Sequence, residues 1–154
     1  RVLHRINYQE LQKKSKEELI AMILSREDIS IPVSLFSSGA PPLECLVYFL
    51  REEKKMPVAE IALRLNRNLQ TIWTTYRNSK AKKILPGNSK INVPLSIFAK
   101  DDKSILESLV HYLKISHRLK LADISRLISR DIRVIYTHYH RYEMKMKHDT
   151  KVKK

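Results

Sequence analysis

Glycine is almost missing from this 154-residue sequence, which has only Gly39 and Gly87. Such scarcity weighs against turn-rich β architectures and leaves no glycine loop to cradle a phosphate. A single cysteine, Cys45, cannot close an internal disulfide, so a reducing cytoplasm is the expected setting. No apolar run approaches the roughly 18 residues that span a bilayer, and no membrane partner is expected. No signal peptide is recognisable. The sequence opens on Arg1 and not on methionine, and an N-terminal region is expected to precede it. Catalytic constellations are missing too: neither a Ser/His/Asp set nor paired carboxylates fall at a useful spacing. His138 and His140 point to different faces of a helix, with no Cys or carboxylate at ligand spacing, so no metal is expected. Cys45 reads as a small core or boundary residue and not a nucleophile. The expectation is therefore a protein that is not an enzyme, with no cofactor and no small-molecule ligand.

Positive charge is abundant. Thirty Lys and Arg face sixteen Asp and Glu, a net +14. An excess of that size repels itself and normally exists because a polyanion offsets it. Residues 1–30 contribute only +1, residues 31–90 contribute +6 and residues 91–154 contribute +7. The field therefore belongs to the last two-thirds of the chain.

An internal repeat organises that region. Ile31-Pro32-Val33-Ser34-Leu35-Phe36 matches Val93-Pro94-Leu95-Ser96-Ile97-Phe98. Leu43-Glu44-Cys45-Leu46-Val47-Tyr48-Phe49-Leu50 matches Leu106-Glu107-Ser108-Leu109-Val110-His111-Tyr112-Leu113. Ala59-Glu60-Ile61 matches Ala122-Asp123-Ile124, and Ile72-Trp73-Thr74-Thr75-Tyr76 matches Ile135-Tyr136-Thr137-His138-Tyr139. The offset is 62 residues at first and 63 after a one-residue insertion that follows the phenylalanine. A tandem duplication explains this. The expected organisation is an N-terminal helical segment at 1–28, a first copy at 29–86, a second copy at 91–148 and a basic tail at 149–154.

Each copy opens with apolar/polar alternation, over 29–35 and 91–97, which predicts a short extended arm. Pro32 and Pro94 lack a donor and confine such an arm to a sheet edge. If the two arms pair, they do so as a ribbon of a few hydrogen bonds; otherwise each packs on its own helices. Helical spacing of apolar residues then predicts helices over 42–53 and 104–116, and over 58–65 and 121–128. A three-residue turn, 66–68 or 129–131, leads into a third helix, with Asn68 and Asp131 as N-caps. In the N-terminal segment Ser15-Lys16-Glu17-Glu18 reads as a capping box opening an apolar helix, which either covers the first copy or pairs with a second subunit. The fold class is thus mainly α: two tandem three-helix units, each behind an extended arm, plus an N-terminal helix.

A short helix, a tight turn and a second helix form the grammar of the helix-turn-helix. Residues 58–76, with Glu60-Ile61-Ala62 opening the first helix and Thr71-Ile72 in the second, resemble the helix-turn-helix of the fourth region of bacterial sigma factors and related regulators. The resemblance covers about 40 residues in each copy and implies DNA binding through the third helix. Where that family commonly carries glycine in the turn, this chain has Asn66 and Ser129, and Ser125 stands where the family prefers alanine. The promoter-melting regions of a sigma factor are absent.

The charge map agrees with what the resemblance implies. Residues 64–83 contain no acidic side chain. If Ile72 and Tyr76 pack inward, Gln70, Thr71, Thr74, Arg77 and Asn78 point outward, and their equivalents are Arg133, Val134, Thr137, His140 and Arg141. Gln and Asn can pair with adenine, Arg with guanine, and Thr or Val methyls can meet thymine. Arg67 and Arg130 in the turns, with Lys80, Lys82, Lys83 and Lys145 beyond, are expected to meet the DNA, the lysines at phosphates. Trp73 and Tyr136, beside the outward face, are expected to pack against the first helix of each copy, with a groove contact as the alternative. The expected partner is double-stranded DNA, in the cytoplasm at the nucleoid, and the expected role is transcription regulation. Two alternatives remain open: a module binding another protein of the transcription machinery, and the DNA-binding part of a recombinase or transposase.

Overall fold

A computed structural model describes residues 15–24 and 27–152 of the chain. It is mainly α. In order come α1 (Lys16–Leu24), β1 (Ser30–Pro32), a 3-10 turn (Val33–Ser38), α2 (Pro42–Glu52), α3 (Val58–Leu65) and α4 (Leu69–Ser79). Then follow β2 (Asn92–Pro94), a second 3-10 turn (Leu95–Phe98), α5 (Ile105–Ile115), α6 (Leu121–Leu127) and α7 (Ile132–Val152). Strand, 3-10 turn and three helices thus recur in the same order in both halves.

Local chemistry sets the helix starts. Pro42 opens α2, where a missing N–H removes nothing from the helix. Ser104 caps α5 in a full capping box: its Oγ accepts from the Glu107 N–H (3.1 Å) and the Glu107 carboxylate accepts from the Ser104 N–H (3.3 Å). Asn68 accepts from the Gln70 and Thr71 amides (2.8 and 3.4 Å), and Asp131 accepts from the Arg133 amide (2.8 Å). At α1, Ser15 Oγ accepts from the Glu18 N–H (3.2 Å).

The two strands pair antiparallel, with Ile31 opposite Val93. Those residues are counterparts in the repeat, so the ribbon is centred on a local two-fold axis that relates the halves. The Val33 N–H donates to the Ile91 carbonyl (3.1 Å) and the Leu95 N–H to the Ile29 carbonyl (2.8 Å). In this register Pro32 and Pro94 fall at the alternate, non-hydrogen-bonded positions, where a missing donor leaves nothing unpaired. The arms are shorter than the alternation predicts. Past each proline the chain tightens into a 3-10 turn that keeps Val33, Leu35 and Phe36, and likewise Leu95 and Phe98, buried.

Packing crosses the axis. The Phe36 and Phe98 rings meet with centroids 5.9 Å apart, the second 3-10 turn lies against α3 and the first against α6. Ile31 and Val93 are fully buried between them, and one hydrophobic core spans both halves. Helix α1 lies on α3, so the described part of the N-terminal segment covers the first half; residues 1–14 lie outside the described residues. The expected tail does not begin at 149, because α7 runs on to Val152; residues 153–154 lie outside the described residues.

Candidate nucleic-acid interface

Helix α3 ends at Asn66, whose backbone is left-handed (φ 52, ψ 47) and lets the Arg67 N–H reach back to the Ala62 carbonyl (2.9 Å). The second half repeats this at Ser129 (φ 52), with the Arg130 N–H on the Ser125 carbonyl (3.1 Å). These are the two turn positions that glycine would fill without strain. Ser125, at the position where alanine was expected, donates its hydroxyl to the Arg130 carbonyl and so ties the turn to the preceding helix.

In α4, Ile72, Tyr76 and Ser79 form the buried stripe. At about 100° per residue, Gln70, Thr74, Arg77 and Asn78 lie opposite that stripe and Thr71 on its flank. All five are exposed. In α7 the inward residues are Ile135 and Tyr142, with Tyr139 half-buried, and Arg133, Val134, Thr137, His140 and Arg141 are all exposed. Thr137 returns its hydroxyl to the Arg133 carbonyl (2.8 Å), which leaves its methyl outward. Arg133 donates to Asp131 from two of its guanidinium nitrogens, Nε and Nη2 (3.1 and 3.2 Å). Through those bonds Asp131 raises the guanidinium pKa, and its own carboxyl is held below the ordinary range. An exposed pair of this kind is weak in water and exchanges readily for another partner. His140 stacks parallel on Tyr136 (6.1 Å between centroids), and Lys80 lies over the Tyr76 ring (4.7 Å). Lys83 is exposed beyond the end of α4.

Four expected DNA contacts are placed elsewhere. Arg67 turns into the seam between the halves and donates to the Leu65, Lys100 and Lys103 carbonyls (3.0, 3.0 and 2.8 Å). Desolvation pulls its pKa down, opposed by Asp101 and Asp102. Arg130 makes the reciprocal crossing, to the Ala40 carbonyl (2.8 Å), and Ala40 is the counterpart of Lys103. The repeat sequence marks both arginines as special, but a charge count cannot separate a buried guanidinium from an exposed one. Lys82 pairs with the buried carboxylate of Glu44, and Lys145 with that of Glu107 (2.6 and 2.9 Å). Both lysines therefore brace their third helix against the first helix of the same half.

Two residues expected inside lie outside. Trp73 is 43% exposed and Tyr136 60%, each one turn after an exposed apolar residue, Leu69 (47%) or Ile132 (48%). The outward face of each third helix is thus flanked by an i, i+4 apolar ledge. The residue pattern carried that signal, since 73 and 136 lie about 100° from the buried stripe on a 3.6-residue helix.

Elsewhere, burial pushes up the pKa of the Cys45 thiol despite a contact with Ser38, consistent with an inert core residue. Among the described residues, no group of three His, Cys, Asp or Glu stands close enough to hold a metal ion, and no helix is long and apolar enough to cross a membrane. No protein-family model matches the chain, and no curated protein or solved structure matches it either.

Proposed function

We propose that the protein is a transcription regulator that reads duplex DNA through two tandem helix-turn-helix units, α3–α4 and α6–α7. The observation that carries the reading is the outward face of the third helices. After the left-handed turn at Asn66, α4 displays Gln70, Thr71, Thr74, Arg77 and Asn78, and after that at Ser129, α7 displays Arg133, Val134, Thr137, His140 and Arg141, with the exposed carboxylate of Asp131 bonded to Arg133. Side chains of those types suit base edges in a major groove. Lys80 and Lys83 supply charge at the margins, where phosphates run. Arg67 and Arg130 are assigned to the frame and not to the DNA, and Lys82 and Lys145 chiefly to the frame. No cofactor enters this reading. A cytoplasmic, nucleoid-associated location goes with the same proposal.

Trp73 is the only tryptophan and stands beside the reading face, so its fluorescence reports occupancy directly. Titration with random-sequence duplex should quench or shift the Trp73 emission. The affinity should fall steeply from about 50 to 200 mM salt, as expected when neutralised phosphates release counterions. Binding that is absent at low salt, or indifferent to salt, removes the proposal. The apolar ledges Leu69–Trp73 and Ile132–Tyr136 favour a second reading, a protein partner from the transcription machinery. A Trp73 signal that needs a protein and ignores duplex would select that reading.

A further inference from the structure

We infer that the DNA element recognised by this chain has two unlike half-sites in inverted orientation at one fixed spacing, so that the protein binds it in one direction only. The inference rests on the DNA-reading proposal and deepens it. Orientation comes from the ribbon. Ile31 faces its own counterpart Val93 in an antiparallel pair, so the halves are related by a rotation and not by a translation. Rotation about a two-fold axis leaves height along that axis unchanged, and α4 and α7 therefore stand at the same level. Duplex DNA has dyads of its own perpendicular to its length, and a two-fold reader matches inverted half-sites, whereas a direct repeat would need translated readers.

Fixed spacing comes from the seam. The turn that leads into each reading helix is bonded to the opposite half, Arg67 to the Lys100 and Lys103 carbonyls (3.0 and 2.8 Å) and Arg130 to the Ala40 carbonyl (2.8 Å). Further along, each helix is tied to its own half by Lys82–Glu44 or Lys145–Glu107. A core that spans both halves leaves no hinge between these ties. The linker is itself held at Ser34, whose hydroxyl donates to the Pro86 carbonyl.

The inequality comes from the outward residues. Gln70 corresponds to Arg133, Thr71 to Val134, Arg77 to His140 and Asn78 to Arg141; only Thr74 and Thr137 agree. Gln and Asn address adenine and Arg addresses guanine, so the half under α4 should contain adenine where the half under α7 contains guanine. Symmetry-related frames with different readers give an element that resembles a palindrome in layout but not in letters.

The test is selection from a random duplex library with the full chain. The expected result is two different motifs, inverted, at a single separation, and changing that separation by two base pairs should weaken binding at least tenfold. A chain carrying Arg133→Gln, Val134→Thr, His140→Arg and Arg141→Asn, all at exposed positions, should instead select a near-palindrome of the α4 motif. Motifs in direct repeat, a variable separation, or equal halves selected by the unaltered chain would overturn the inference while DNA reading survived. Failure to enrich any sequence would remove both. If the fourfold variant does not fold by circular dichroism, the selection with the unaltered chain decides alone.

Discussion

The two halves of the molecule share a frame and differ in almost everything attached to it. Both place left-handed residues at the same points, Lys55 and Asn66 in one, Arg118 and Ser129 in the other. Both pair a buried glutamate of the first helix with a lysine further along the chain, Lys82 or Lys145, and both send an arginine across the axis. Yet Arg67 finds three carbonyls and Arg130 only one, with the Arg130 Nε buried and without a partner. Helix α4 stops after 11 residues, whereas α7 runs for 21. Tyr48 in the first half becomes His111 in the second. Residues that set how the halves meet recur in kind, whereas of the outward positions 70, 71, 74, 77 and 78 only Thr74 recurs, as Thr137. That division separates the residues that join the halves from those that face solvent.

The largest effect should come from the seam. Arg67→Ala leaves the Lys100 and Lys103 carbonyls without their charged donor in a partly desolvated place, a loss of about 2–3 kcal/mol. Arg130→Ala removes one such bond and also an unsatisfied buried nitrogen, so about 1 kcal/mol is expected. Urea unfolding of the two variants gives the comparison. Equal losses would mean that the asymmetry of the clamp has no energetic content.

The lysines sharpen the same contrast between frame and reader. Lys82→Ala strands the Glu44 carboxylate, which is only 7% exposed, and should cost about 1 kcal/mol after allowing for solvent at the lysine end. Lys83→Ala should leave stability unchanged and flatten the dependence of log affinity on log salt by about one unit. If Lys82→Ala flattened the salt dependence and kept full stability, its assignment to the frame would be wrong.

Much of this frame is legible in the sequence. The repeat, the three helices of each half, the Asn68 and Asp131 caps and the inward set Ile72, Tyr76 and Ile135 all follow from periodicity and side-chain chemistry. Pairing of the arms is open from sequence alone, since Pro32 and Pro94 argue against it until the register places them at non-bonded positions. The destinations of Arg67, Arg130, Lys82 and Lys145 are tertiary facts. Each basic side chain reaches a carbonyl or carboxylate at least 33 residues away in sequence, beyond any local pattern. Trp73 and Tyr136 depart from the expected packing for the opposite reason: large aromatic rings are usually buried, and these two are exposed.

His111 offers a way to probe the second half by pH. It is half-buried, with its ring stacked 4.0 Å from that of Tyr142. Burial pulls its pKa down, helped by Lys100 and Lys103 and opposed by Glu143. The unfolded chain therefore takes up the proton first. The stabilising contribution of the neutral ring is full above the unfolded value, about 6.5, and is lost as the pH falls through and below it. Asp102 and Asp131, both held low, lose their contributions only in the more acid carboxylate range, so the two windows are separate. His111→Tyr, which installs the first half's residue, should lose less stability between pH 7.5 and 5.5 than the unaltered chain in paired urea titrations. Parallel curves would show that His111 titrates alike in both states.

The smallest effect concerns the two turns. Asn66 and Ser129 hold the same left-handed backbone, with φ 52 in each. Asparagine reaches that region with little penalty because its short amide can bond locally, whereas serine pays more of the steric clash between Cβ and the backbone. Glycine at either position removes the clash but adds freedom to the unfolded chain, worth roughly 0.5–1 kcal/mol against folding. For Asn66→Gly the two terms should cancel. For Ser129→Gly relief of strain should win by about 0.5 kcal/mol, a rise of about 1–2 °C in Tm for a chain of this size. Both residues are exposed. The difference between the two variants therefore isolates the backbone term. Equal shifts in thermal unfolding would mean that serine pays no more than asparagine here, and the second turn would be no more strained than the first.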